Sequence, residues 1–481
     1  MPLPLQRFAP FLVALPLAAC GSLDLRRAAA VPTSLVAHQL CSATFVSRVE
    51  PERFYREAIA PDVAPVRLFL RHHVDREKGE VTASFAGLVR RRAVYREALG
   101  CLVVRGAAPA ATPIHLDPPA PALLPPIAGP DLVEPASPAL KAALDRAFAE
   151  PATGPHRWTK AVVIVHDGRI VGERYAPGYG IKTPLTGWSM TKSVTNALLG
   201  LLVREGRLDM GASAPLAAWS DPKDPHHPIT ADSLLRMTSG MEFGQSLSSN
   251  WKSAFDPSSQ MLFAVDDMAA AAARAPVIAP RGARWTYTDG NTAILSRIVR
   301  DAAGGDAQQV LRFAHRELFD KLGMAHATLE FDATGAPLGA THLWAPARDW
   351  ARFGMLYLND GVVGGERILP KGWVDYSARF TPGSEGYGYG AGFWTNRPDP
   401  KGVRLRTAMP ADSFMARGSH GQAIVISPSA RLVVVRLGDA YTPYGDIAAL
   451  NRLVADATAA LAPASQAAPN EASGCRVAAS R

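Results

Sequence analysis

The sequence predicts an α+β fold: one antiparallel sheet built from both ends of a long segment, with helices between them. Three observations predict it. Residues 161–165 and 170–175 are apolar, β-branched-rich runs joined by Asp167-Gly168, a hairpin signal because glycine accepts the positive φ such turns need. Residues 423–426 and 432–437 repeat the arrangement late in the chain, across a Pro-Ser turn. Between these hairpins the apolar positions recur mostly at helical spacing, over residues 189–204, 259–274, 292–302, 306–322 and 347–359. Strands near both ends and helices between give a sheet with non-local pairing.

The remaining elements follow in chain order. Residues 1–20 carry one charge, Arg7, then an apolar stretch and small residues up to Cys20, which is the pattern of a secretory signal. Leu17-Ala18-Ala19-Cys20 resembles the bacterial lipobox. That resemblance implies lipidation of Cys20 and an envelope protein anchored to a membrane by lipid. No Asp follows Cys20, which within that resemblance favours the outer membrane, facing the periplasm. Residues 34–106 read as a small α+β unit with a helix over 34–46 and strands over 80–86 and 93–104. Cys41 and Cys101 flank it, and an exported chain meets an oxidising compartment, so they are expected to pair. Residues 107–138 form a linker: Pro109 to Pro138 holds ten prolines in thirty residues, which forbids regular structure and implies an extended strap. A helix over 139–148 opens the main unit, residues 139–462, and an amphipathic helix over 447–461 closes it. Residues 463–481, with Cys475, read as a disordered tail.

Composition narrows the function. Of the 481 residues, 48% are hydrophobic and 20% charged, which is globular. Lys plus Arg is 51 against 43 Asp plus Glu, too even for a nucleic-acid footprint. No apolar run after residue 20 reaches the roughly 18 residues a spanning helix needs. No Cys/His spacing reads as a zinc site, and no cofactor motif is present, so neither metal nor cofactor is expected.

The chemistry concentrates in three segments. In Ser189-Met190-Thr191-Lys192, Ser and Lys stand three apart and share a helix face. A serine at the helix start meets free N–H groups and the positive dipole end, which favour a developing oxyanion. Lys192, one turn deeper in an apolar helix, is expected to be desolvated and to act as base or proton relay. A bare S-x-x-K also occurs at Ser249 and Lys252, without an apolar helix after it, and is read as a chance match. The second segment, Trp285 to Asn291, places Tyr287 at a loop-to-helix junction, where it can take the Ser189 proton. In the third, Gly418-Ser419-His420-Gly421-Gln422, small residues enter the late strand and let substrate approach the backbone. The Gln422 N–H is expected to join that of Ser189 as an oxyanion hole, with His420 binding substrate or assisting proton transfer.

S-x-x-K, then Tyr-x-Asp, then Ser-His-Gly at a strand resembles the order of motifs in penicillin-recognising serine hydrolases. The class C β-lactamase-like branch, with its esterases, D-aminopeptidases and aminohexanoate-dimer hydrolases, is most similar. Leu234 to Gly240 (LLRMTSG), Asp349 to Gly361 (DWARFGMLYLNDG) and Tyr387-Gly388-Tyr389-Gly390 also look like elements of that branch. The resemblance covers about residues 138–462. It implies a β-lactamase/transpeptidase-like fold with a helical subdomain, and Ser189 as acylated nucleophile with Lys192 and Tyr287 sharing the proton work. It further implies substrate contacts at Asp289, His420 and Gly421. Asp289 stands where β-lactamases carry Asn, and Ser419-His420-Gly421 where they carry Lys-Thr-Gly. The lost lysine argues for a small ester or amide substrate rather than a β-lactam. A peptidoglycan-directed D-amino-acid peptidase, a weak β-lactamase and a non-catalytic envelope module are the alternatives. An α/β-hydrolase is disfavoured because Ser189 is not in G-x-S-x-G.

Overall fold

The six strands of the main sheet run, edge to edge, Trp394–Thr395, Phe414–Arg417, Ala423–Ser427, Leu432–Gly438, Thr159–His166 and Arg169–Tyr175. Every neighbouring pair is antiparallel, and Leu432–Gly438 lies against Thr159–His166, so the two chain ends meet mid-sheet as expected. The structure, a computed structural model, describes residues 19–106, 113–213, 215–244, 251–442 and 445–462. The expected signal up to residue 18, Ser249 and the tail with Cys475 lie outside the described residues, as do the side chains of Cys20 and Lys252.

The central strands are continuous apolar runs rather than alternating ones, because helices cover both faces. Helices Pro138–Phe148 and Ile447–Leu461 pack on one face through Leu140, Leu144, Leu453 and Val454. Helix Ala347–Leu358 and the buried helix Thr191–Arg204 take the other. Thr191–Arg204 is buried from Thr191 to Leu202, so its polar side chains must find partners inside. Thr195 donates to the Gly339 carbonyl, and the Asn196 amide donates to the Ala391 carbonyl while its oxygen accepts from Tyr357 and Trp373.

The N-terminal segment packs directly on the main unit. Helix Ala19–Phe45 packs on a four-stranded antiparallel sheet, Leu70–Asp75, Glu80–Phe85, Val89–Arg96 and Gly100–Val104. Residues 93–104, read as one strand, break into a tight hairpin where Ala98 and Gly100 take positive φ. The opposite face of the helix joins the core of the main unit, so Val36 and Leu40 share one apolar cluster with Leu198 and Phe263.

The pairing of Cys41 with Cys101 holds, with Cα atoms 6.1 Å apart. Directly beside it, buried Glu330 of the main unit accepts from Ser42 Oγ at 2.6 Å and from the Cys101 amide at 2.9 Å, with His38 Nε2 3.0 Å away. Burial pushes the Glu330 pKa up, but the neighbouring histidines hold it below the ordinary value. The disulfide closes a 60-residue separation, so its loss is expected to cost about 2–4 kcal/mol. The Cys41→Ser, Cys101→Ser variant should melt several degrees lower; an unchanged Tm would contradict the coupling of this segment to the fold.

Over residues 113–137 the proline-rich segment runs without helix or strand along the main unit. Val133 bonds along the edge strand at Glu173, and the Ile127 carbonyl accepts from Ile170 at 2.8 Å. Arg348 holds it by donating to the Gly129 and Asp131 carbonyls, each at 2.6 Å. Among the described residues, no helix is long and apolar enough to cross a membrane.

Candidate active site

Ser189 lies in a 3-10 turn, Trp188–Met190, that leads into helix Thr191–Arg204. Trp188 takes φ +45°, a conformation L residues adopt only when the surroundings impose it, and one that recurs at functional sites. Gly187 is required before it: a Cβ there would come within 2.5 Å of Trp350. The turn leaves Ser189 half-buried at the wall of a cavity of about 1570 Å³.

Lys192 projects back toward that turn, and three acceptors surround its Nζ: Ser189 Oγ at 3.0 Å, Asp289 Oδ1 at 2.5 Å and the Ala340 carbonyl at 3.0 Å. An ammonium has three N–H donors, whereas a neutral amine has only two. The geometry suits the charged form of Lys192, with the buried Asp289 carboxylate as its counter-ion. Burial alone would push its pKa down, but Asp289 and Tyr287 beside it raise it above the ordinary lysine value. Lys192 is buried as expected, and the Asp289 carboxylate is buried with it.

That carboxylate arrives by local design. Thr288 caps helix Asp289–Ala303, its side chain accepting from Gly290 N at 3.0 Å, and Asp289 falls in the first turn. Tyr287, immediately before the cap, lies with its ring centroid 5.1 Å from the Lys192 ammonium. The LLRMTSG turn braces this loop: Thr286 N donates to the Met237 carbonyl, and Ser239 donates to Asn291. Ser189, Tyr287 and Asp289, from segments about a hundred residues apart, line one cavity.

Residues 144–459 match the Beta-lactamase family. The chain belongs to that family. A 6-aminohexanoate-dimer hydrolase from Paenarthrobacter ureafaciens is 25% identical over 300 residues, covering 58% of this chain and 72% of that protein. A solved structure from Bacillus anthracis, provisionally assigned as a 6-aminohexanoate-dimer hydrolase, has a TM-score of 0.54 at 25% identity over 69% of this chain and 86% of its own. A penicillin-binding-protein homologue from Caulobacter crescentus has a TM-score of 0.52 at 17% identity, over 68% of this chain and 98% of its own, and shares the fold. This beta-lactamase-family protein is thus a hydrolase by kinship, with the β-lactamase/transpeptidase-like fold.

The third motif sits differently from its expected place. Residues 418–422 form the tip between strands Phe414–Arg417 and Ala423–Ser427, not the start of a strand. Gly418 packs on the nucleophile turn so closely that a Cβ would meet the Gly187 carbonyl at 2.1 Å, and Gly418 and Ser419 line the cavity. Gly421 and Gln422 do not. Gly421 lies against Arg436. The Gln422 amide donates to the Ser419 carbonyl at 3.4 Å, and its side chain bonds Gly438 across the sheet. The oxyanion role expected of Gln422 and the substrate contact expected of Gly421 are therefore corrected, because the tip turns both residues back onto the sheet. His420 lines the cavity but is bound through Nε2 to Asp62 Oδ1 at 3.1 Å. Burial lowers its pKa, and Asp62 more than offsets this, so the net shift is upward.

Sequence reasoning missed two cations. Arg417, just before the third motif, and Arg406 both line the cavity. The Arg417 guanidinium lies 5.3 Å from the Trp394 ring centroid, and Trp394 stacks near Tyr287 at 5.1 Å. Burial, then repulsion from Arg417, lowers the Arg406 pKa to about 10. The signal was a basic residue at the end of the strand preceding Gly418.

Among the described residues, His38, Glu330 and His342 bring three ligand atoms within 4.8 Å of one another. Most of their atoms are already engaged: Gln39 donates to His342 Nε2 at 2.7 Å, Thr341 Oγ1 meets its Nδ1 at 2.6 Å, and Glu330 Oε1 binds the segment around the disulfide while its Oε2 lies 3.0 Å from His38 Nε2. The His342 pKa is pushed down to about 3, chiefly by burial. The cluster is a hydrogen-bonded clamp between the N-terminal helix and the main unit.

Proposed function

We propose that the protein is a serine hydrolase that cleaves an ester or amide through an acyl-enzyme on Ser189. The observation that carries this reading is the Lys192 ammonium, saturated by Asp289, Ala340 and the Ser189 oxygen at the wall of a large cavity. A charged lysine cannot accept the serine proton, so that role falls to Tyr287. Ser189 Oγ attacks the carbonyl carbon as its proton passes to Tyr287, which accepts it as the phenolate held beside the Lys192 ammonium. The carbonyl oxygen takes the negative charge. Collapse breaks the bond to the leaving group, which receives the proton, and water then releases the acid from Ser189 with the same proton path reversed. Lys192 orients Oγ throughout and supplies positive charge to the oxyanion step. In place of Gln422, the Ser419 amide at the hairpin tip is the proposed partner of the Ser189 amide in the oxyanion hole.

Arg417 and Arg406 change the expected substrate. The positive charge missing from the third motif is restored from the adjacent strand and loop, so a substrate with a carboxylate near the scissile bond is accommodated. The two relatives described above as 6-aminohexanoate-dimer hydrolases are in line with an amide of that kind. The test is pre-steady-state hydrolysis of p-nitrophenyl acetate. With substrate in excess, a burst of p-nitrophenol equal to the enzyme concentration is expected, followed by slower turnover; turnover with no burst would contradict an accumulating acyl-enzyme.

A further inference from the structure

The cavity that holds Ser189 is only partly made by the family-matched segment. Residues before 144 lie outside that match, yet Val31, Leu35, Val63, Val66, Phe85 and Val89 line the same cavity as Ser189. They come from helix Ala19–Phe45, the turn Ala64–Phe69 with the residue before it, and the hairpin between Glu80–Phe85 and Val89–Arg96. All six are apolar; Arg26 and Asp62 line the cavity from the same segment, and Arg417, Arg406 and Asp289 line it from the main unit.

This wall is fixed in place. The Glu330 clamp and the His420–Asp62 pair tie the N-terminal segment to the main unit, and the disulfide closes that segment on itself. The cavity, at about 1570 Å³, exceeds the roughly 300–1,000 Å³ that suits a drug-sized ligand. An acetyl group or a single residue would leave most of the apolar wall wet, whereas a hydrocarbon chain would displace that water.

We propose that the substrate's acyl group is a medium- to long-chain hydrocarbon, seated against the apolar wall that the N-terminal segment adds to the Ser189 cavity. This rests on the serine-hydrolase reading and deepens it. The N-terminal segment, whose role the sequence left open, is then the specificity element of the enzyme. Each methylene buried against the wall is worth roughly fourfold in binding. Because binding to a remote group can be used at the reacting centre, part of that gain reaches kcat/KM.

The test is a series of p-nitrophenyl esters from acetate to dodecanoate, on the full chain without its first 18 residues. The specificity constant is expected to rise at least a hundredfold from the two-carbon to the eight- or ten-carbon acyl group. Val66→Trp, which fills the wall from a half-buried position, should cut the ratio of long-chain to short-chain kcat/KM by tenfold or more. In case that variant folds poorly, wild-type inactivation by alkylphosphonate p-nitrophenyl esters of increasing chain length reads the same preference at the nucleophile. A rate that is highest for acetate and falls with length would overturn the acyl-wall proposal while leaving the hydrolase reading intact. No turnover of any ester, with no phosphonate adduct on folded protein, would overturn the hydrolase reading itself.

Discussion

Replacing Ser189 with alanine is expected to lower kcat for ester hydrolysis by on the order of 10⁴- to 10⁶-fold, the loss seen when a covalent nucleophile is removed. The burst should vanish with it. Stability should change little, because Ser189 is half-buried in a turn and its hydroxyl is one of three acceptors at Lys192. Melting temperature and kcat measured on the same preparation separate the two effects. Loss of activity with a collapsed Tm would mean that the residue holds the fold. Retained activity would mean that another group is acylated.

The second large effect concerns Asp289. Its carboxylate lies 2.5 Å from Lys192 Nζ, and both side chains are buried. Removing one partner of a buried pair leaves the other uncompensated, so Asp289→Ala is expected to cost about 3–5 kcal/mol. Asp289→Asn keeps the shape and removes the charge. The folded-state pKa of Lys192 is raised, and Asp289 is the leading cause of the rise. The pair therefore contributes stability that is fully present below the unfolded lysine pKa and is lost as pH rises through the folded value. In Asp289→Asn the Lys192 pKa falls, so the alkaline limb of kcat/KM should move to lower pH. A pH–rate profile of the two proteins checks this. An unmoved alkaline limb would contradict a charged Lys192 as the working form; a shift to higher pH would reverse the sign of the argument.

The parts of the fold that could be read were those whose burial leaves a mark along the chain. Strands Thr159–His166, Ala423–Ser427 and Leu432–Gly438 are covered on both faces, so the apolar run is unbroken and visible. Strands Trp394–Thr395, Leu185–Thr186 and Leu343–Ala345 have only two or three residues and carry no period at all. Leu70–Asp75 reads LRHHVD, polar because it is the outer edge of its sheet, and was passed over. Residues 259–274 carry one helical pattern but fold as Pro257–Ala264 and Met268–Ala273, because Asp267 caps a new helix by accepting from Ala270 N.

The site divides along similar lines. Ser189, Lys192 and Tyr287 stand in short motifs whose spacing already encodes a helix start and a loop-to-helix junction. The charge state of Lys192 was not legible, because it depends on Asp289 and Ala340, far away in the chain. Gln422 and Gly421 were misplaced because a strand and a hairpin tip look alike in a run of small residues. The apolar wall and the Arg417–Arg406 pair exist only through contacts between distant segments, so no local pattern announced either.

One measurement bears most directly on the central claim: intact-mass analysis after treatment with a fluorophosphonate probe, followed by peptide mapping of the adduct. The account predicts a single adduct on wild-type protein, carried by the peptide containing Ser189, and none on Ser189→Ala. An adduct on another serine, or no adduct on wild-type protein of unchanged Tm, would contradict it.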